Sequence, residues 1–259
     1  MRKGIRLKVL GTLVIAAALA LAPWSAPTAD AHRLTPYTCT GGEIPSGTYR
    51  SIWVSGACSV PAGAVIRVIG DVNLAAGAVF DAQSAPSTIT VGHNITGRKG
   101  SLVGLGCQPP SYTGNSAHEC TVEPEGHSTI TVFGNITVTR ASAVLLNGIT
   151  VKGNVTLLGG GSDIPWSIKN NNIRGNLMVS GQTTDWLGVL FNTVGRNVVL
   201  TKIAVTDTHP DAPGVYIVRN TVGRNLICLG LTPGVSGGFV PGSVNVVGHK
   251  AIGQCASLV

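Results

Sequence analysis

Ile149-Thr150-Val151-Lys152-Gly153-Asn154-Val155-Thr156-Leu157 is the stretch on which the reading of this chain turns. Apolar and polar residues alternate on either side of a Gly-Asn pair, as in two short strands meeting at a corner. Ile149, Val151, Val155 and Leu157 are expected to point inward, and Thr150 and Thr156 outward. Gly153 and Asn154 belong to the residue types that tolerate positive φ, so a left-handed corner is expected between the strands.

The stretch is one of eight copies. Aligned on Asn154, the anchor positions are Asp71, Asn94, Asn135, Asn154, Asn176, Asn197, Asn225 and Lys250. Three residues earlier stand Val68, Val91, Val132, Val151, Ile173, Val194, Val222 and Val247, all β-branched. Successive anchors are 23, 41, 19, 22, 21, 28 and 25 residues apart. Most of these gaps fit one turn of a stacked solenoid, in which each turn is stable only against its neighbours. The gap of 41 reads as nearly two turns, with Ser101 to Cys107 as a degenerate strand and a polar insert behind it, 107–127. Stacked corner Asn side chains should hydrogen-bond upward and downward as a ladder. A second Asn column, Asn171, Asn192, Asn220 and Asn245, replaces Ile89, Ile130 and Ile149 and begins partway along the chain.

The ends and the cysteines bound the compartment. Arg2, Lys3, Arg6 and Lys8 precede an apolar core from Val9 to Ala22, and Ala29-Asp30-Ala31 fits the small-x-small cleavage rule. That core is 14 residues, short of the roughly 20 that span a bilayer. Residues 1–31 are therefore expected to be a signal peptide cleaved near Ala31. A single β-solenoid domain over 32–259 is then secreted, with no membrane span of its own. Export directs Cys39, Cys58, Cys107, Cys120, Cys228 and Cys255 into disulfides. Sequential pairing is preferred because each pair closes a local loop, and the first and last would staple the two ends.

Four of the 18 Lys and Arg residues and one of the 11 acids lie in the leader, leaving 14 against 10 and a net charge of +4. This is too small a bias to argue for nucleic acid. The Gly-Asn corners, the V-x-G-N-V-T-L strands and the rung length are similar to right-handed parallel β-helix proteins. With the terminal Gly253-Gln254-Cys255, the chain resembles small exported actinobacterial β-solenoid proteins, a group to which no activity is assigned. The resemblance implies an all-β solenoid of about eight to nine rungs and export, and adds no site.

Chemistry-bearing groups are sparse. The wider β-helix class includes polysaccharide-active enzymes, but beyond the leader the chain lacks an Asp-Asp pair and an Arg-x-Lys, and fold alone does not carry function. Glycoside hydrolysis needs two carboxylates about 5 to 10 Å apart. Asp163 and Asp185 are 22 residues apart, about one rung, and are the catalytic candidates. Between His118 and His127 lie three Glu and Cys120, but the spacing matches no standard metal motif, so no metal and no cofactor is expected.

Two binding patterns stand out. Lys152, Arg174, Arg196, Arg224 and Lys250, joined by His249, lie at or next to the corner in five successive copies. Stacked about 4.8 Å apart they would form a basic stripe that attracts an anionic polysaccharide. Trp166, Trp186 and Tyr216 lie 10, 11 and 9 residues before their anchors and are expected to align as a row that stacks on sugar rings. The outward Thr column at Thr96, Thr137 and Thr156 turns into Met178, Val199 and Ile227, an apolar continuation suited to self-association. The preferred reading is an exported, non-enzymatic structural or binding protein of the envelope or extracellular space. A polysaccharide-active lyase or hydrolase with an unfamiliar site and a self-assembling surface or adhesion component are the alternatives.

Overall fold

The alternation around Gly153-Asn154 folds as two strands, Thr150–Val151 and Val155–Gly160, that meet at a corner. A third strand, Trp166–Lys169, completes the turn, and Asn172–Ile173 starts the next. Each strand pairs in parallel with its counterpart one turn on, as in Thr150↔Asn172, Val155↔Leu177 and Trp166↔Leu187. Repetition winds three parallel sheets, one of 11 strands and two of nine. The first sheet holds Val155–Gly160, the second Trp166–Lys169 and the third Thr150–Val151, and the chain visits them in the order third, first, second. This is the architecture of a right-handed parallel β-helix. The computed structural model describes residues 34–113, 116–206, 210–239 and 244–259. The expected signal over 1–31 lies outside the described residues.

The period-2 pattern sets what is buried. On the first sheet, Ile52, Val72, Ile95, Ile136, Val155, Leu177, Val198 and Leu226 stack in register, and none exceeds 1 % exposure. Val68, Val91, Val132, Val151, Ile173, Val194 and Val222 form the matching column of the third sheet. Columns of like aliphatics suit a solenoid because each side chain meets the same shape above and below. Among the described residues no helix is long and apolar enough to cross a membrane.

The Gly-Asn corner differs from its expected geometry. Neither Gly153 nor Asn154 has a positive φ. Glycine is needed there because successive corners approach closely. A Cβ on Gly153 would come within 2.5 Å of the Asn135 Oδ1, and one on Gly175 within 2.5 Å of Asn154 Oδ1. Left-handed residues other than glycine stand where the second sheet turns into the third, at Asn170 (φ 59°), Phe191 (φ 56°) and Arg219 (φ 49°), and within first-sheet strands, at Arg140 (φ 53°) and Lys202 (φ 54°).

Both Asn columns form ladders, and they run in opposite senses. At the corner, each backbone N–H and side-chain Nδ2 donates to the Oδ1 of the preceding rung. The chain of bonds passes from Asn225 through Asn197, Asn176, Asn154, Asn135 and Asn94 to Asp71, with Nδ2–Oδ1 distances of 2.9 to 3.2 Å. A carboxylate at the last position is apt, because that residue only has to accept. The second column is buried, and its donors point toward the following rung. Asn171 donates to Asn192, Asn192 to Asn220 and Asn220 to Asn245, each at 2.9 or 3.0 Å. Each of these amides also donates to a backbone carbonyl of the turn before, as Asn192 does to Ile168. Asn245 ends on the carbonyl of Leu258, in the C-terminal 3-10 helix Gln254–Leu258.

The cysteines pair sequentially, Cys39–Cys58, Cys107–Cys120 and Cys228–Cys255. The first joins the two opening turns and the last ties strand Leu226–Thr232 to the terminal helix. The gap of 41 between Asn94 and Asn135 is one turn, not nearly two. Leu102–Leu105 is a regular strand of the second sheet, paired with Val79–Ala82 and Ala143–Asn147. The surplus length is the insert behind it, which carries the short helix Pro110–Thr113 and leaves the winding undisturbed.

Candidate functional site

The basic residues expected at the corner come together on one edge. Backbone bonds climb the corner from rung to rung: Gly153 donates to Gly134, Gly175 to Gly153, Arg196 to Gly175, Arg224 to Arg196 and His249 to Arg224. Lys152 and Arg174 occupy one column, in line with Phe133, and Arg196, Arg224 and His249 occupy the column one residue further round. Lys152, Arg174, Arg196, Arg224, His249 and Lys250 are all exposed. No hydrogen bond or ion pair among the described residues engages their side chains. Lys152, Arg174 and Arg196 line a depression of about 320 Å³ over Gly153, Asn154 and Gly175. From Asn94 to Lys250 the corner copies contain no Asp or Glu, so the positive field along this edge is not cancelled locally.

The acids lie elsewhere. Asp163 is exposed, between Val155–Gly160 and Trp166–Lys169, and the half-buried Asp185 precedes Leu187–Leu190. Both stand on the bend from the first to the second sheet. Asp185 is fixed there by its backbone N–H donating to Ser162 O at 3.1 Å.

The aromatic row does not form as expected. Trp166 pairs with Leu187 in the second sheet and points inward, fully buried, with its Nε1 donating to Ser142 O at 3.0 Å. Trp186 falls one residue out of that register, on the bend before the strand. Its ring covers Gly188, where a Cβ would meet Trp186 Cζ3 at 2.8 Å. Tyr216 pairs with Gly188 and faces outward, edge-on to Trp186 at 5.3 Å and to Phe239 at 6.0 Å. Two of the three aromatics therefore share the outer face of the second sheet, opposite the corner edge, and the cations and this cluster do not form one surface.

The insert folds back on the second sheet. Lys169 Nζ donates to Ala117 O at 2.8 Å, Asn170 Nδ2 to Ser116 O at 3.0 Å and Asn147 Nδ2 to His118 O at 3.4 Å. Burial holds the His118 imidazole below its ordinary pKa, the Lys169 charge adds to that, and Asp81 opposes it. Burial also lowers Lys169. His127 instead stacks on Tyr112 at 4.4 Å, with its Nε2 3.2 Å from the tyrosine hydroxyl. Among the described residues no three His, Cys, Asp or Glu side chains gather to hold a metal ion.

Phe133, which falls outside the expected aromatic row, marks a feature beside the basic edge. Phe133 is 55 % exposed and precedes Gly134-Asn135 as Lys152 precedes Gly153-Asn154. A shallow groove of about 780 Å³ runs along the third sheet between the column of Phe133, Lys152 and Arg174 and the outward column of Thr150, Asn172 and Thr193. On the first sheet, Thr137 and Thr156 are continued in register by Met178, Val199 and Ile227. No family model, curated protein or solved structure matches the chain.

Proposed function

We propose that this chain is an exported, non-enzymatic β-solenoid that binds anionic polysaccharide along its Gly-Asn corner. The observation that carries the reading is the segregation of charge on this edge. Cations recur turn after turn without a neighbouring carboxylate or an internal partner. A polymer with regularly spaced negative charges is the ligand whose geometry such an edge complements, since charge repeats along the solenoid axis at about 4.8 Å per turn. The disulfides at both ends of the solenoid accord with an oxidising compartment.

The test is retention of the purified chain on anionic and neutral polysaccharides at low and high salt, with polymer length followed in parallel. Retention on anionic polymers that salt abolishes and that Arg174→Ala and Arg196→Ala weaken is the expected result. Shortening of any polymer overturns the non-enzymatic reading and directs attention to Asp163 and Asp185. The apolar run Met178, Val199 and Ile227 favours a second reading, a self-assembling surface or adhesion component. A size in solution that rises with concentration supports it.

A further inference from the structure

We infer that the groove beside Phe133, Lys152 and Arg174 is a subsite for an acidic pyranose, a sugar ring bearing carboxylate or sulfate, in a polymer that lies along the solenoid axis. The inference rests on the polyanion-binding reading above and specifies the ligand and the residues that select it.

Three observations converge. First, Phe133, Lys152 and Arg174 follow one another in a single outward column over consecutive turns. Their strands pair in register through Val132↔Val151↔Ile173, one residue before each. About 4.8 Å separates neighbours in that column, close to the length of one pyranose residue in an extended chain. One sugar per turn therefore places a ring over Phe133 while the next two present their anionic groups to Lys152 and Arg174. Second, the Phe133 ring is exposed and has no ring or cation partner among the described residues. A free phenyl face on a β-strand surface has little structural use, whereas it packs well on the C–H face of a sugar. Third, the other side of the groove offers Thr150, Asn172 and Thr193. Their column lies two residues back along the strands, roughly 7 Å from the cations, within reach of the hydroxyls of the same sugar. Beyond Arg174 the column continues as Gly195, which leaves the groove open for the chain to continue toward Arg196.

Aromatic face, cation and hydrogen-bonding groups at one-turn spacing select a charged ring. A linear phosphodiester chain without rings uses the cations and gains nothing from Phe133. The experiment measures binding of four probes to the purified chain over a range of salt: a linear oligouronate, its carboxyl-reduced neutral counterpart, a sulfated oligosaccharide and polyglycerol phosphate. Phe133→Ala, Lys152→Ala and Arg174→Ala are compared with Lys99→Ala, which lies off this edge. Phe133→Ala is expected to weaken the acidic sugars roughly threefold to tenfold without changing the steepness of their salt dependence or the affinity for polyglycerol phosphate. Lys152→Ala and Arg174→Ala should weaken every polyanion and flatten the salt dependence, and Lys99→Ala should do neither. Comparing oligouronate with the sulfated probe decides which acidic group is preferred. Phe133→Trp keeps a stacking face and adds a fluorophore, so it should retain affinity and change emission when the acidic sugar binds. If polyanions bind through Lys152 and Arg174 but Phe133→Ala is silent and the Phe133→Trp emission is unmoved, the subsite is overturned while the polyanion edge stands. If no polyanion binds in a salt-dependent way, both fail together.

Discussion

The side-chain amide of Gln254 pairs with the backbone of Leu231 at both ends: Leu231 N–H donates to Gln254 Oε1 at 2.8 Å, and Gln254 Nε2 donates to Leu231 O at 2.7 Å. The amide takes the place of the peptide group that a longer neighbouring strand would supply, so the end of Leu226–Thr232 that runs beyond its pairing with Ala251–Gly253 is closed by a side chain. Removing it leaves two groups of strand Leu226–Thr232 without partners. Gln254→Ala should lower the unfolding free energy by about 1–3 kcal/mol and speed amide exchange at Leu231. Gln254→Glu keeps the acceptor but sets a carboxylate against the Leu231 carbonyl, so at neutral pH it should cost more than alanine. An unchanged denaturation midpoint with unchanged exchange at Leu231 would show that the amide is not a cap.

The two Asn ladders should respond unequally to truncation. Asn192 is buried and spends its amide on Asn220 and Ile168 while accepting from Asn171. In Asn192→Ala the orphaned donors and acceptors have no water to turn to, and a loss of about 3–5 kcal/mol is expected. Asn154 makes similar bonds at a half-buried corner, where water can replace them, so Asn154→Ala should cost about 1–2 kcal/mol. Urea unfolding of the two variants decides the matter, and equal losses would contradict the difference in burial.

Backbone geometry predicts substitutions of opposite sign. Gly153→Ala brings a Cβ to 2.5 Å from Asn135 Oδ1 and should destabilise by about 2 kcal/mol or more, since the stacked corners cannot separate singly. Lys202 has φ 54°, a conformation that disfavours any residue with a Cβ by about 1–2 kcal/mol. Lys202→Gly should therefore raise the thermal midpoint despite the added freedom of the unfolded chain. A midpoint that falls in Lys202→Gly would refute the strain argument.

Docking of the insert should strengthen as pH rises through the ordinary imidazole range. The folded-state pKa of His118 is lowered, so the unfolded segment binds a proton first as pH falls. The penalty grows from the unfolded pKa down to the lowered folded one and is constant below it. Proteolysis within 107–127 should accelerate over that interval. Lys169→Met removes the neighbouring charge and should move the His118 titration, followed by NMR, back upward. A titration unmoved by this change would show that the Lys169 charge does not act on it.

How much was legible depended on distance from the repeat. The inward positions flanking the corner and the Asn columns follow from a strict period of two and a recurring rung, and the chain-order disulfides from the short loops that they close. Trp166, Trp186 and Tyr216 were placed by counting back from the anchor, across a bend whose length varies from turn to turn. A shift of one residue reverses the face of a strand side chain, which is why Trp166 lies inside while Tyr216 lies out. The corner glycines were visible as a column, but their cause was not. Nothing in one strand's residues announces how closely the next backbone approaches, and that contact, rather than φ, requires them. Phe133 does not join the counted aromatic row, and it stands alone in a column of cations and glycines, so its place beside the groove was not read.

The corner ladder ends on Asp71, and this has an electrical meaning. Each amide in the column carries a dipole along the solenoid axis, with its hydrogen-bearing end toward the N-terminal turns. Six Asn side chains, from Asn94 to Asn225, are aligned in this way. Where the buried ladder accompanies them, from Asn171 onward, its opposed amides offset theirs. Between Asp71 and Asn154 they stand uncompensated, and the positive end of the column rests on a carboxylate. Asp71 thus does for a stack of side chains what an acidic residue in the first turn does for an α-helix.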